Sequence, residues 1–175
     1  VVSLCITCVD ALLHTNYARL GRRLEERYHI RFALVRMFPI LEESAHTHAQ
    51  MLLETQYSVL RPAQRPGRRR AVNLLGSIST CSHASELYRT LGAAGIAVQH
   101  ILECRTLEEY DALGDACLNL VLVPNALPAA RMLEQKWGIP YLSFFQTCDP
   151  DQIRNNYRAL EEALGCALPV EQDWE

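Results

Sequence analysis

The sequence is short of several things, and each shortage excludes a class of function. No apolar run approaches the roughly 18 residues of a membrane-spanning helix. No basic segment followed by an apolar core opens the chain, so a secretory leader is not indicated. Net charge is −3, which gives no reason to expect a nucleic-acid or acidic-membrane partner. Lys136 is the lone lysine, leaving little room for lysine chemistry. The Walker A pattern is absent, and with it P-loop binding of ATP. After the strand-like "AVNLLG" a dinucleotide fingerprint would need three spaced glycines. Gly76 alone is present, so NAD, NADP and FAD are not expected. No nucleophile elbow of the G-x-S-x-G type occurs.

Cysteine, by contrast, is plentiful. Seven are present: Cys5, Cys8, Cys81, Cys104, Cys117, Cys148 and Cys166. An odd number without a secretory leader argues against a disulfide framework and for a reducing, cytoplasmic setting. The chain starts directly in an apolar stretch, and the expectation is a piece cut from a longer protein.

Hydrophobic patterning gives a strand at "VVSLCIT", then a helix with Leu12, Leu13, Tyr17, Leu20 and Leu24 on one face. A second strand, "IRFALVRM", is followed by a loop at Pro39 and a helix over 45–60, with Ser44 as a candidate cap. The stretch 61–70, "RPAQRPGRRR", reads as a linker from its two prolines, glycine and five arginines. Beyond it, strands at 71–76, 96–103, 118–124 and 139–145 alternate with helices. Gly95 is placed to end the first of these helices. Near-continuous apolar strands alternating with helices indicate a parallel sheet covered on both faces. The fold class is therefore α/β: a parallel-sheet, Rossmann-like domain at 71–166, preceded by a partial α/β segment at 1–60 and followed by a tail at 167–175.

Candidate ligands are few. His46 and His48, two apart, project to different faces of a helix. His14, His83 and His100 have no ligand-spaced neighbours. A closed zinc site would need a second Cys/His pair after Cys5 and Cys8, and none follows. A thioredoxin-type pair would place its first cysteine at a helix start, whereas Cys5 still belongs to the strand. Cys8 stands where the strand gives way to a helix, a position where open α/β folds gather ligands and where a helix dipole favours thiolate. Residue chemistry alone leaves Cys8 as a cluster ligand, a redox thiol or a small buried hydrophobe.

Two stretches narrow the choice. Val72–Gly76, Gly95–Ile96, Thr106–Tyr110, Leu118–Val121 and Glu134–Tyr141 follow the order and spacing of "VNLIG", "GI", "TLEEL", "LNLV" and "EEKYGIPY". In this order they resemble the middle domain of nitrogenase component 1 subunits and their relatives. The opening "ITCVDALLHTNYARL" is similar to that family's "TTC…IGDDL" segment, with Cys8 on the cysteine. The resemblance covers most of 1–165. It implies that Cys8 helps bind an iron–sulfur cluster in the full-length assembly, with no cluster expected in this piece alone. It also implies a second homologous subunit and an ATP-dependent iron-protein reductase as partners. Two departures stand out. The family's Gly-Asp-Asp is His14-Thr15-Asn16 here. Val123 falls where catalytic α-type subunits carry a cofactor-binding cysteine. That pattern fits a β-type subunit, an assembly scaffold or a nitrogenase-like reductase. A scaffold carrying a cofactor precursor, or a plain α/β small-molecule-binding domain with Cys8 as packing, are the rival readings.

Overall fold

The computed structural model describes residues 1–7, 13, 15–37, 47–63, 67–77 and 79–169. The chain divides into two compact units, Val1–Val59 and Leu60–Glu175.

The first unit contains β1 (Val2–Thr7), α1 (Tyr17–Tyr28), β2 (Phe32–Met37) and α2 (His48–Ser58). β1 and β2 pair in parallel, with Cys5 opposite Val35. Helix α1 starts where Asn16 accepts a hydrogen bond from the Arg19 N–H at 2.9 Å, satisfying one of the free amides of the first turn. It ends at His29, whose left-handed backbone (φ 55°) lets its N–H reach the Glu25 carbonyl. Helix α2 is set by a reciprocal cap between Thr47 and Gln50. The cap expected at Ser44 lies outside the described residues, as does Pro39. The apolar face read for α1 is covered in part: Tyr17 and Leu24 are half-buried, whereas Leu20 is 40% exposed and Leu13, ahead of the helix, 68%.

The second unit contains β3 (Arg69–Leu75), α3 (Glu86–Ala93), β4 (Ala97–His100), α4 (Leu107–Ala112), β5 (Ala116–Val121), α5 (Leu127–Trp137), β6 (Tyr141–Ser143) and α6 (Pro150–Leu164). Its sheet has the order β4-β3-β5-β6, every pair parallel. Val72, Leu74, Leu118 and Leu120 pack with Leu91, Tyr157 and Leu160 into one continuous core. The alternate positions carry Asn73 and Asn119, which face each other in register. The Asn73 amide donates to Asn119 Oδ1 and to the Leu113 carbonyl, both at 2.8 Å, while Asn73 Oδ1 and Asn119 Nδ2 are buried without a hydrogen-bond partner among the described residues.

Most boundaries shift by a few residues from the sequence reading, and two of the shifts have a visible cause. β4 stops at His100 because the imidazole Nδ1 accepts the Leu102 N–H at 3.2 Å, folding Ile101–Glu103 into a 3₁₀ turn. β3 starts at Arg69, inside the stretch read as a linker. Arg68 just before it donates to the Ala116 carbonyl at 3.2 Å and the Trp137 carbonyl at 2.6 Å. The arginine-rich stretch therefore enters this unit tied to its backbone. Residues 64–66 lie outside the described residues.

Candidate functional site

The second sheet has its topological switch between β3 and β5. The chain leaves β3 toward β4 on one side, then returns to β5 and continues to β6 on the other. In open parallel sheets the connections then diverge at the carboxyl ends of the strands and leave a crevice. Here that crevice has a volume of about 540 Å³, within the range of small-molecule sites. The loop after β3 supplies Ser77, Cys81 and Ser82; the end of β5 supplies Leu122; the segment after β6 supplies Phe144 and Thr147. Glu86 on α3 and Tyr157 on α6 complete the wall.

Gly76 shapes the entry to this loop. Its φ is +98°, which disfavours any residue with a side chain. A Cβ there would lie 2.6 Å from Val123 Cγ2 and 2.9 Å from the Ala126 Cβ. Val123 is thus a packing partner of the turn, and its side chain carries no atom able to ligate a metal.

A polar group forms around the turn after β4. Glu103 Oε1 is 2.8 Å from His83 Nε2 and 3.5 Å from the Tyr88 hydroxyl. His83 stacks on Tyr88, with ring centroids 4.6 Å apart. Burial, then the Glu103 charge, pushes the Tyr88 phenol up to about 12. Cys104 is pushed up to about 11 by burial first, then by Glu109 and Glu103. A thiol so held stays protonated at neutral pH and is a poor nucleophile or metal ligand. His100 is 2% exposed, and burial lowers its pKa against the opposing pull of Glu103. It is therefore a neutral imidazole, with Nε2 buried and unpartnered among the described residues.

The residues singled out from sequence scatter. Cys8 lies outside the described residues, as do His14 and His46. Cys5 is exposed on β1, while its neighbour Ile6 is buried. His48 is the first residue of α2 and exposed. Among the described residues no three His, Cys, Asp or Glu side chains converge as a metal site. Glu86 and Tyr157 line the crevice but were not picked out from sequence. The available signal was positional: Glu86 opens the helix that follows the first strand of the second sheet.

These features define an open parallel α/β protein with a crevice at the switch point of its second sheet. The chain belongs to the nitrogenase component 1 type oxidoreductase family, whose model matches residues 1–174. It is similar in fold to two solved structures, "Nitrogenase Cp1 at pH 5" and "Nitrogenase Cp1 at pH 6.5", each at TM-score 0.69 and 19% identity. The matches cover 93% of this chain and 34% and 33% of those chains, so it spans about a third of their length. No curated protein matches. No helix among the described residues is long and apolar enough to cross a membrane.

Proposed function

We propose that the chain is part of a nitrogenase component 1-type oxidoreductase subunit in which Cys8 contributes one thiolate to a shared iron–sulfur cluster. The observation that carries this reading is the family match over residues 1–174, joined to a cysteine directly after the carboxyl end of β1. Iron–sulfur clusters take several thiolate ligands. The described residues offer no converging set of three, and in this reading Cys8 is one ligand among several. When bound, such a cluster passes electrons singly. The chain's own part in this reading is to supply the Cys8 thiolate. A homologous second subunit supplies further ligands, and an ATP-dependent iron-protein reductase supplies electrons.

Val123 favours one distinction within this reading. A valine packed on Gly76 cannot hold a metal cofactor, so the crevice of this chain does not anchor one through that position.

The test is iron and acid-labile sulfide in the full-length subunit, purified without oxygen together with its partner subunit, beside the Cys8→Ala variant. The expected result is cluster iron in the unaltered protein and its loss in the variant. Equal iron in both, with both folded, would remove Cys8 from the cluster.

A further inference from the structure

Where one face of a strand is buried, the hydrophobic pattern sets its register, because a slip of one residue turns that face outward. β3 and β5 lack that constraint. Val72, Asn73, Leu74 and Leu75 are at most 1% exposed, and Leu118, Asn119, Leu120 and Val121 at most 2%. Both faces of both strands are covered, so a slip only puts one apolar residue where another was. Each run contains a single polar residue, Asn73 in one and Asn119 in the other.

The two strands in fact meet in two registers. Arg69 stands opposite Ala116, whereas Val72, Asn73, Leu74 and Leu75 stand opposite Leu118, Asn119, Leu120 and Val121. Two residues of β3, Arg70 and Ala71, therefore share the span of one residue of β5, Cys117, as in a bulge. Had the first register continued, Val72 would face Asn119 and Asn73 would face Leu120. The two alternatives differ in a polar contact. In the observed register Asn73 Nδ2 donates to Asn119 Oδ1 at 2.8 Å. In the other, both amides would lie opposite apolar residues and lose that bond where water does not replace it.

Other contacts near the bulge do not make this choice. Arg68 donates to the Ala116 carbonyl at 3.2 Å, which holds the register ahead of the bulge. The Cys117 thiol donates to the Ala71 carbonyl at 3.2 Å, within the bulge itself, and a thiol is a weak donor. Nor is the amide pair a strong source of net stability, since Asn73 Oδ1 and Asn119 Nδ2 are buried and unpartnered among the described residues. What the pair supplies is selectivity between registers.

We propose that Asn73 and Asn119 are positioning residues that pin the bulge of β3 ahead of Val72 and so set the register in which β3 and β5 reach the crevice. Beyond the pair the Leu122 N–H donates to the Leu75 carbonyl at 2.9 Å, and Gly76 comes against Val123. A bulge moved past Asn73 would shift these contacts by one residue. All of this lies within the second unit and stands apart from the reading of Cys8.

The experiment compares the intact chain with Asn73→Leu/Asn119→Leu, in which each leucine keeps the branching of the asparagine it replaces, and with Gln99→Leu. Gln99 stands opposite Asn73 on the other side, where β3 and β4 pair without a shift. Two-dimensional amide NMR, with nuclear Overhauser contacts between β3 and β5, reads the register. The double variant should show a second set of peaks from both strands, at about a tenth or more of the main set's intensity, with Val72 against position 119. Gln99→Leu should show one set. One set in the double variant with Val72 still against Leu118, or a second set in Gln99→Leu as well, would overturn the proposal. Should the leucine pair fail to fold, Asn73→Val/Asn119→Val, which adds less volume, takes its place. Failure of both pairs would overturn the proposal too, because the asparagines would then be required for folding as such.

Discussion

Both units are built from the same step, a strand, a helix and a parallel strand, but they bury very different amounts of it. In the second unit Val72, Leu75, Leu120 and Val121 are fully buried, and helices supply Leu91, Leu133 and Leu160 against them. In the first, the described apolar residues that reach full burial are Ile6, Ala33, Val35 and Tyr57. Val2, Leu20, Ile30 and Leu52 remain 40–43% exposed. A parallel strand pair exposes apolar residues on both faces and is stable when both are covered. Two strands and two helices cover less of that surface than four strands and four helices. The same local chemistry therefore gives a self-sufficient core in one unit and a thin one in the other.

The sharpest way to break this comparison is to truncate an apolar strand residue in each unit. Leu120→Ala, in the centre of the second sheet, should cost about 3 kcal/mol in urea unfolding, because the cavity it leaves cannot collapse. Val2→Ala, 43% exposed on β1, should cost less than about 0.5 kcal/mol. Similar costs would show that the first unit is packed as tightly as the second.

A smaller effect is expected at the crevice turn. Gly76→Ala combines a positive φ with a Cβ 2.6 Å from Val123 Cγ2, and should destabilise the chain by about 2 kcal/mol. Adding Val123→Ala should recover part of that loss and not all, since the backbone strain persists. Full recovery would assign the whole cost to the clash.

The third effect is a pH dependence confined to the second unit. His100 has its pKa lowered from 6.5 in the fold. Between that lowered value and 6.5 the unfolded chain binds a proton that the folded chain does not. Stability contributed by the neutral imidazole is therefore complete above about pH 6.5 and is lost as pH falls toward the folded value. Unfolding midpoints measured from pH 8 downward should fall in that window, and the fall should shrink in His100→Gln. An unchanged pH profile in the variant would assign the loss to other groups.

Much of the second unit was legible because its strands and helices are set by local pattern. Near-continuous apolar runs marked β3 and β5, and Gly95, with φ +70°, ends the turn after α3 as expected. Tertiary contacts decided what was not legible. The hydrogen bond at His100 cuts β4 short, and the carbonyls of Ala116 and Trp137 hold Arg68. Glu86 looks like an ordinary first-turn acid until the crevice around it is seen. Leu20 was read as inward-facing from its spacing, but spacing says which face is apolar and not whether anything covers it. The family was legible from ordered short motifs; the place of Cys8 in a site still rests on that likeness.

Hydrogen–deuterium exchange of backbone amides, read strand by strand on the intact chain, tests the central contrast most directly. The account predicts that β3 and β5 exchange only through global unfolding, whereas β1 and β2 exchange through a lower-energy opening of the first unit. Equal protection in the two pairs of strands would contradict it.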